Sequence, residues 1–371
     1  MKNSGNKKKI LAIVGTRPEA VKMAPVIRAL EREPERFELT VMASGQHREM
    51  LDQVLGLFRI VPDLDLDIMV PDQTVTRVTC RVLEEMEAYF RDHLPGAVLA
   101  QGDTTTVMAA ATACFYRRIP FGHVEAGLRT NDLYAPWPEE FNRRVADLTA
   151  AWHFAPTQWS VENLLREGVD PGRVHLTGNT VIDALFHILE TTEAPSRPIP
   201  AGRRYVLMTC HRRENFGEPI REIFAAVREF ALAFPEISVW YPVHPNPHVR
   251  GPAREILGGV ENILLTEPLD YLHFVHAMNG ADLILSDSGG VQEEAPSLGK
   301  PVLVLREKTE RPEAVLAGTC RLVGSRKDRI ISSLEELLFD ERAYREMSGK
   351  SNPFGDGRAA EAIVKILRES P

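Results

Sequence analysis

Two acidic residues stand just beyond short apolar runs: Asp103 in Gln101-Gly102-Asp103-Thr104-Thr105-Thr106, and Glu125 in His123-Val124-Glu125-Ala126-Gly127-Leu128-Arg129-Thr130. If those runs are neighbouring parallel strands, both carboxylates enter one crevice, as a general acid and a general base on one substrate must. A third carboxylate comes from Pro136-Trp137-Pro138-Glu139-Glu140, which opens a helical pattern reaching Arg143-Arg144. Glu139 and Arg143 are four apart, as are Glu140 and Arg144. The plain alternative to catalysis is two surface ion pairs of ~0.3–0.5 kcal/mol each. One pair is expected to be that, but not both beside two other strand-end carboxylates.

Cations and anion-binding turns accompany these acids. Gly15-Thr16-Arg17-Pro18-Glu19-Ala20-Val21-Lys22 follows an apolar run, with Thr16 or a neighbour as helix cap and Pro18 in the first turn. Arg17 at the helix start and Lys22 a turn later add charge to exposed N–H groups, an anion site; an ordinary capped helix with solvated charges is the alternative. His211, followed by Arg212 and Arg213 at another strand end, suits an acid, a base or a phosphate donor. His244 and His248 are four apart, but the prolines between them argue against a shared helix, so no metal site is expected. His273 and His276 read as helix surface or a domain-face contact.

Ser286-Asp287-Ser288-Gly289-Gly290-Val291-Gln292-Glu293-Glu294 is the most specific string. Ser-Gly-Gly at a strand-to-helix turn bares N–H groups to a diphosphate, Glu294 can accept from sugar hydroxyls, and Arg311 can reach another phosphate oxygen. The string is neither a GxGxxG fingerprint nor a GxxxxGK[ST] loop, which disfavours nicotinamide and ATP chemistry. No cofactor is expected.

These groups need strands to aim them. Apolar runs at Ile10–Val14, Leu39–Ala43, Val98–Ala100, Phe121–Val124 and Trp152–Ala155 alternate with helical stretches such as Glu19–Glu33 and Val75–Phe90. A second series follows at Tyr205–Thr209, Val239–Pro242, Ile263–Leu265, Leu283–Ser286 and Pro301–Leu305, with Ile220–Phe234 helical. Two βαβ series predict two doubly wound parallel sheets. The proline-rich stretch 190–204 reads as a linker, and 351–357 as a sharp turn before a helix over Arg358–Arg368.

The 371 residues suit two α/β domains. Net charge is −8, which argues against nonspecific nucleic-acid binding. No apolar run approaches the ~20 residues of a membrane helix, and the leading lysines read as a solvated leader. Four widely spaced cysteines without a CxxC pair point to a reducing cytoplasm.

Taken in order, the strings GTRPEAVKMAP (15–25), GQHREMLDQVL (45–55), QGDTTT (101–106), HVEAGLRT (123–130), PWPEEFNRR (136–144), TGNTVIDAL (177–185), HRREN, PVHPNP, SDSGGVQEEAPSLGKPVL and ERPEAV closely resemble the non-hydrolysing UDP-N-acetylglucosamine 2-epimerases. The resemblance spans about residues 9 to 369. It implies a GT-B-like pair of Rossmann-like domains, 1–186 plus 355–371 and 187–354, with an active-site cleft between them and the last helix crossing back to the first. It implies reversible interconversion of UDP-GlcNAc and UDP-ManNAc by elimination and re-addition of UDP, no cofactor, a homodimer, and a product feeding cell-envelope polysaccharide. The catalytic groups it implies are Asp103, Glu125, Glu139 and His211. The substrate contacts are Arg17, Lys22, Leu269 (where relatives often carry Gln), Phe274, Ser288, Gly289, Gly290, Glu294 and Arg311. A regulatory UDP-GlcNAc site would draw on Gln46, Arg212 and His244; Glu49 and Asp72 add negative charge that is unfavourable there. The alternatives are an epimerase of a modified UDP-HexNAc, a hydrolysing epimerase, a retaining glycosyltransferase, and a catalytically inert sensor of UDP-sugars.

Overall fold

A computed structural model describes residues 7–45, 48–68 and 73–370. The chain divides into two compact units, residues 1–186 with 354–371, and residues 187–353. In unit 1 the strands are β1 Lys8–Val14, β2 Phe37–Ala43, β3 Leu64–Asp65, β4 Ala97–Gln101, β5 Phe121–Val124, β6 Trp152–Ala155 and β7 Val174–Leu176. All pair in parallel, in the order β3-β2-β1-β4-β5-β6-β7. Unit 2 holds β8 Tyr205–Thr209, β9 Ser238–Pro242, β10 Ile263–Thr266, β11 Leu283–Ser286, β12 Val302–Val304 and β13 Cys320–Leu322. They are also parallel, in the order β10-β9-β8-β11-β12-β13.

The central strands carry unbroken apolar runs because helices cover both faces. Every residue of β4 and of β8 is buried. Strand order reverses between β1 and β4 in unit 1, and between β8 and β11 in unit 2. At such a switch point successive connections leave in opposite directions and open a crevice beyond the carboxyl ends. Gly15–Lys22 and Gly102–Asp103 flank the first switch point; His211–Arg213 and Asp287–Gly290 flank the second.

Three strands have no counterpart in the apolar-run reading. Leu64–Asp65, Val174–Leu176 and Cys320–Leu322 are two- or three-residue edge strands, too short to show a pattern and formed by pairing with an existing neighbour. The helix Ala359–Glu369 packs on the helix Arg17–Glu31. Its first N–H groups, of Ala359 and Ala360, are capped by Asp183 at 3.2 and 2.9 Å. At its other end Lys8 Nζ donates to the carbonyls of Leu367 and Ser370, both at 3.0 Å, a cation at the negative end of the dipole. No helix of the described residues is long and apolar enough to cross a membrane.

Candidate active site

Unit 1 gathers carboxylates around its switch point. Glu125 leaves β5 in a left-handed conformation, φ +66°. For a side chain of this size that conformation costs about 1–2 kcal/mol, and such strain is characteristic of sites where position outweighs stability. The buried Glu125 carboxylate accepts from Lys22 and from Gln101 Nε2, and from Asn179 Nδ2 at 3.0 Å. Lys22, on the helix after β1, therefore reaches Glu125 directly, whereas Arg17 is exposed at the helix start.

Asp103 follows β4, with its carboxylate 2.5 Å from Arg143 and its backbone carbonyl taken by Asn142 Nδ2 at 2.9 Å. Its side chain remains 28% exposed. Even so, surrounding protein displaces enough water to raise its pKa. The Glu125 charge adds to that shift, while Arg143 and Lys22 oppose it. Two neighbouring acids, Glu125 against the Lys22 ammonium and Asp103 against the Arg143 guanidinium with its pKa raised, are a pair that acid–base chemistry on two faces of a carbon can use.

The helix Glu139–Thr149 corrects the expected surface pairs. Arg144 does bond Glu140, at 2.9 Å, but the Glu140 side chain is completely buried and also accepts from the N–H groups of Thr130 and Asn131. Arg143 turns to Asp103 rather than Glu139. The buried Glu139 Oε2 has no hydrogen-bond partner among the described residues. A buried carboxylate oxygen left unsatisfied costs about 1–3 kcal/mol.

Glu19 joins this cluster, although its expected role was only a place in a motif. It completes a capping box: Thr16 accepts from Glu19 N–H, and Glu19 Oε2 accepts from the N–H groups of Gly15 and Thr16 at 2.6 and 3.0 Å. The signal was present as Thr-x-x-Glu. Burial, assisted by the Asp103 charge, lifts its pKa from 4.5 to about 7 against the hydrogen bonds from Thr104, Gly15 and Thr16. The folded value lies above the unfolded one, so this carboxyl leaves stability intact below about pH 4.5, destabilises progressively up to about pH 7, and adds nothing further above that. Glu19→Gln is expected to remove that slope. Relative to the variant, the wild type loses about 3 kcal/mol between pH 4.5 and 8; urea midpoints at both pH values check this, and parallel profiles would refute it.

In unit 2 the buried Asp287 organises the turn after β8. Its Oδ2 accepts from the N–H groups of His211 and Arg212, both at 2.8 Å, and from Asn215 Nδ2 at 3.0 Å. Burial, joined by the Arg212 charge and the His244 ring, outweighs Asp287 and holds the His211 pKa below its ordinary value, so the ring is neutral at pH 7. His211 stacks on His244 with centroids 5.3 Å apart. At the Ser288-Gly289-Gly290 turn, a Cβ on Gly289 would lie 3.8 Å from Arg311 and 3.9 Å from Arg212. Two guanidinium groups thus flank backbone that no side chain covers, which suits a diphosphate. Arg311 is set by Glu293 at 2.5 Å, and Glu294 accepts from Tyr271 at 2.9 Å.

Some expected residues fall elsewhere. Phe274 and Leu269 are half-buried on the first turn of the helix Tyr271–Gly280 and on the loop before it. Arg212 sits with Arg311 at the Ser-Gly-Gly turn. Gln46 and Asp72 lie outside the described residues, and nothing is described of the Glu49 side chain. Pro247 starts a helix, Pro247–Leu257, instead of preventing one; Asn246 caps it, leaving His244 outside and His248 in its first turn. His248 stacks on Phe216, not on His244.

Known proteins match this chain along almost its whole length. The family described as UDP-N-acetylglucosamine 2-epimerase matches residues 28–368. The UDP-N-acetylglucosamine 2-epimerase of Salmonella typhimurium is 53% identical over 370 residues, covering 97% of this chain and 98% of that protein. That of Escherichia coli K12 is 52% identical over 372 residues, covering 98% and 99%. The crystal structure of UDP-GlcNAc 2-epimerase from Neisseria meningitidis bound to UDP-GlcNAc superposes with a TM-score of 0.89 at 48% identity, covering 98% of this chain and all of that one. Both units are thus Rossmann-like α/β folds of the GT-B-like kind, and the chain belongs to the UDP-N-acetylglucosamine 2-epimerase family.

Proposed function

We propose that this protein interconverts UDP-N-acetylglucosamine and UDP-N-acetylmannosamine by eliminating and re-adding UDP. The observation that carries this reading is the pairing of Asp103 and Glu125 beyond neighbouring strands of unit 1, each against its own cation and with Glu139 on the adjacent helix. The C2 proton of the sugar is not acidic. A base takes it as the C1–O bond breaks, the electron pair leaves with the diphosphate, and a C1=C2 double bond remains. UDP then re-adds at C1 while an acid on the other face protonates C2. Asp103, Glu125 and Glu139 supply the acid–base groups, each typically worth ~10²–10⁴-fold.

The departing diphosphate needs neutralisation, often the largest contribution to catalysis. Arg311, Arg212 and the N–H groups at Ser288, Gly289 and Gly290 offer it in unit 2, with His211 donating and Glu294 accepting from hydroxyls. Arg17 and Lys22 add positive charge in unit 1. Leu269 can meet uracil only through its backbone, beside the Phe274 ring. Regulation by UDP-GlcNAc through His244 and Gln46 belongs to the same reading.

The chain is proposed to work as a homodimer in the cytoplasm, supplying ManNAc-type sugars for envelope polysaccharide. Exposed Phe115 and Tyr116 on the helix Thr105–Arg117, and Phe141 and Leu148 on the helix packed beside it, support self-association. Cysteines without disulfides among the described residues support a reducing compartment.

The test is proton NMR of the protein with UDP-GlcNAc in deuterated buffer without added cofactor. Deuterium at C2 as UDP-ManNAc accumulates is the expected result. Free ManNAc plus UDP would identify a hydrolysing enzyme, and bound but unexchanged UDP-GlcNAc would overturn the reading.

A further inference from the structure

Unit 1 contains a chain of charges that closes on itself. Asp103 meets Arg143 at 2.5 Å, Arg143 meets Glu140 at 3.5 Å, and Glu140 meets Arg144 at 2.9 Å. Arg144 continues to Glu167 at 3.4 Å, Glu167 to Arg129 at 2.7 Å, and Arg129 to Asp147 at 2.8 Å. Asp147 holds His123 Nδ1 at 2.6 Å, and His123 Nε2 lies 2.7 Å from the carbonyl oxygen of Gly102, the residue before Asp103. Acids and bases alternate throughout, and His123 is the one base in it that can lose its charge near neutral pH.

Geometry requires a proton on each ring nitrogen of His123. Both ring nitrogens face oxygens that can only accept, a carboxylate and a backbone carbonyl, so each must donate, whereas a neutral imidazole has one N–H. The His123 side chain is completely buried, and an unpaired charge there would be prohibitively costly. The groups that act on it are Asp147, Arg129 across Asp147, and His153, whose own pKa burial lowers. Burial works to neutralise His123, but the charge and hydrogen bond of Asp147 prevail and raise its pKa. The bond to Gly102 is consequently charge-assisted, about twice as strong as a neutral one. It acts on a residue with φ +86°, the pivot between β4 and Asp103.

We propose that His123 is a positioning residue held permanently as an imidazolium, which clamps the Gly102 carbonyl and so aims the Asp103 carboxylate. The kinetic consequence rests on the acid–base reading of Asp103; the charge state rests on geometry alone.

Full-length protein labelled with ¹⁵N-histidine, observed at pH 8.5, decides the charge state. A ring protonated on both nitrogens, identified by its loss in His123→Gln, is expected; a neutral tautomer overturns the proposal. In His123→Gln, kcat for UDP-GlcNAc is expected to fall about 10²-fold with unchanged KM, the consequence of a misplaced acid–base group. The ¹³C titration of the Asp103 carboxylate should move toward the ordinary aspartate range, a readout that does not depend on turnover. Unaltered kcat and titration would refute the positioning role. If His123→Gln does not fold, Asp147→Asn keeps the side-chain shape and removes the balancing charge; its His123 ring should be neutral at pH 8.5 and kcat should fall alike, and a fully active variant would refute the clamp. A wild type that shows the doubly protonated ring but no epimerisation would count against the activity and leave the charge state standing.

Discussion

Asp103→Asn is expected to lower UDP-GlcNAc turnover about 10³-fold while UDP binds with undiminished affinity. The amide keeps the size of the side chain and its place after β4, but it cannot exchange a proton with carbon. Arg143 loses the charge at 2.5 Å yet keeps Glu140 at 3.5 Å, so the helix Glu139–Thr149 retains an anchor. The groups proposed to hold the diphosphate, Arg212 and Arg311 in unit 2 and Arg17 and Lys22 in unit 1, are unchanged. Steady-state kinetics with UDP-GlcNAc and calorimetry with UDP separate the two effects. A variant with near-normal kcat would remove Asp103 from the acid–base set, and a parallel loss of UDP affinity would recast it as a binding residue.

Glu125→Gln is expected to be at least as damaging to turnover, about 10³–10⁴-fold, and to destabilise the fold as well. Its carboxylate accepts from Lys22, Gln101 and Asn179. An amide presents an NH₂ group to one of those donors and removes the charge opposite the Lys22 ammonium, whose side chain is only 14% exposed. Removing one partner of such a pair costs about 3 kcal/mol, visible as a lowered melting temperature that Asp103→Asn does not share to the same extent. Single-turnover experiments then assign the two faces. The variant lacking the base for UDP-GlcNAc fails to release UDP, whereas the variant lacking the acid on the opposite face releases UDP and accumulates the unsaturated sugar. Wild-type release and re-addition in both variants would refute the assignment of either residue.

Local sequence exposed the strand ends because a buried parallel strand is an unbroken apolar run and the residue after it is free to be polar. Asp103, Glu125, His211 and Ser288 were legible on that account. Arg143 was paired with the wrong acid because spacing along a helix gives neighbours on its surface, not the side that faces the sheet. Asp103, forty residues away in the chain, took the guanidinium that Glu139 was expected to hold. His123 and Asp287 were in view only as letters of a motif; what each bonds is fixed by which strand lies alongside.

The sequence by itself determined the two parallel sheets, a capped helix start within Gly15–Lys22, the Ser-Gly-Gly turn and the family. Each depends on periodicity or on a contiguous string, and such signals do not need the chain to be folded. Tertiary structure decided the proton states and partnerships: Glu19 near pH 7, Glu140 buried, Glu139 with an unsatisfied oxygen, and the circuit from Asp103 back to His123. A pKa or an ion pair is set by distance and by the water excluded around it. Both arise only when segments remote in sequence are brought together at the ends of neighbouring strands.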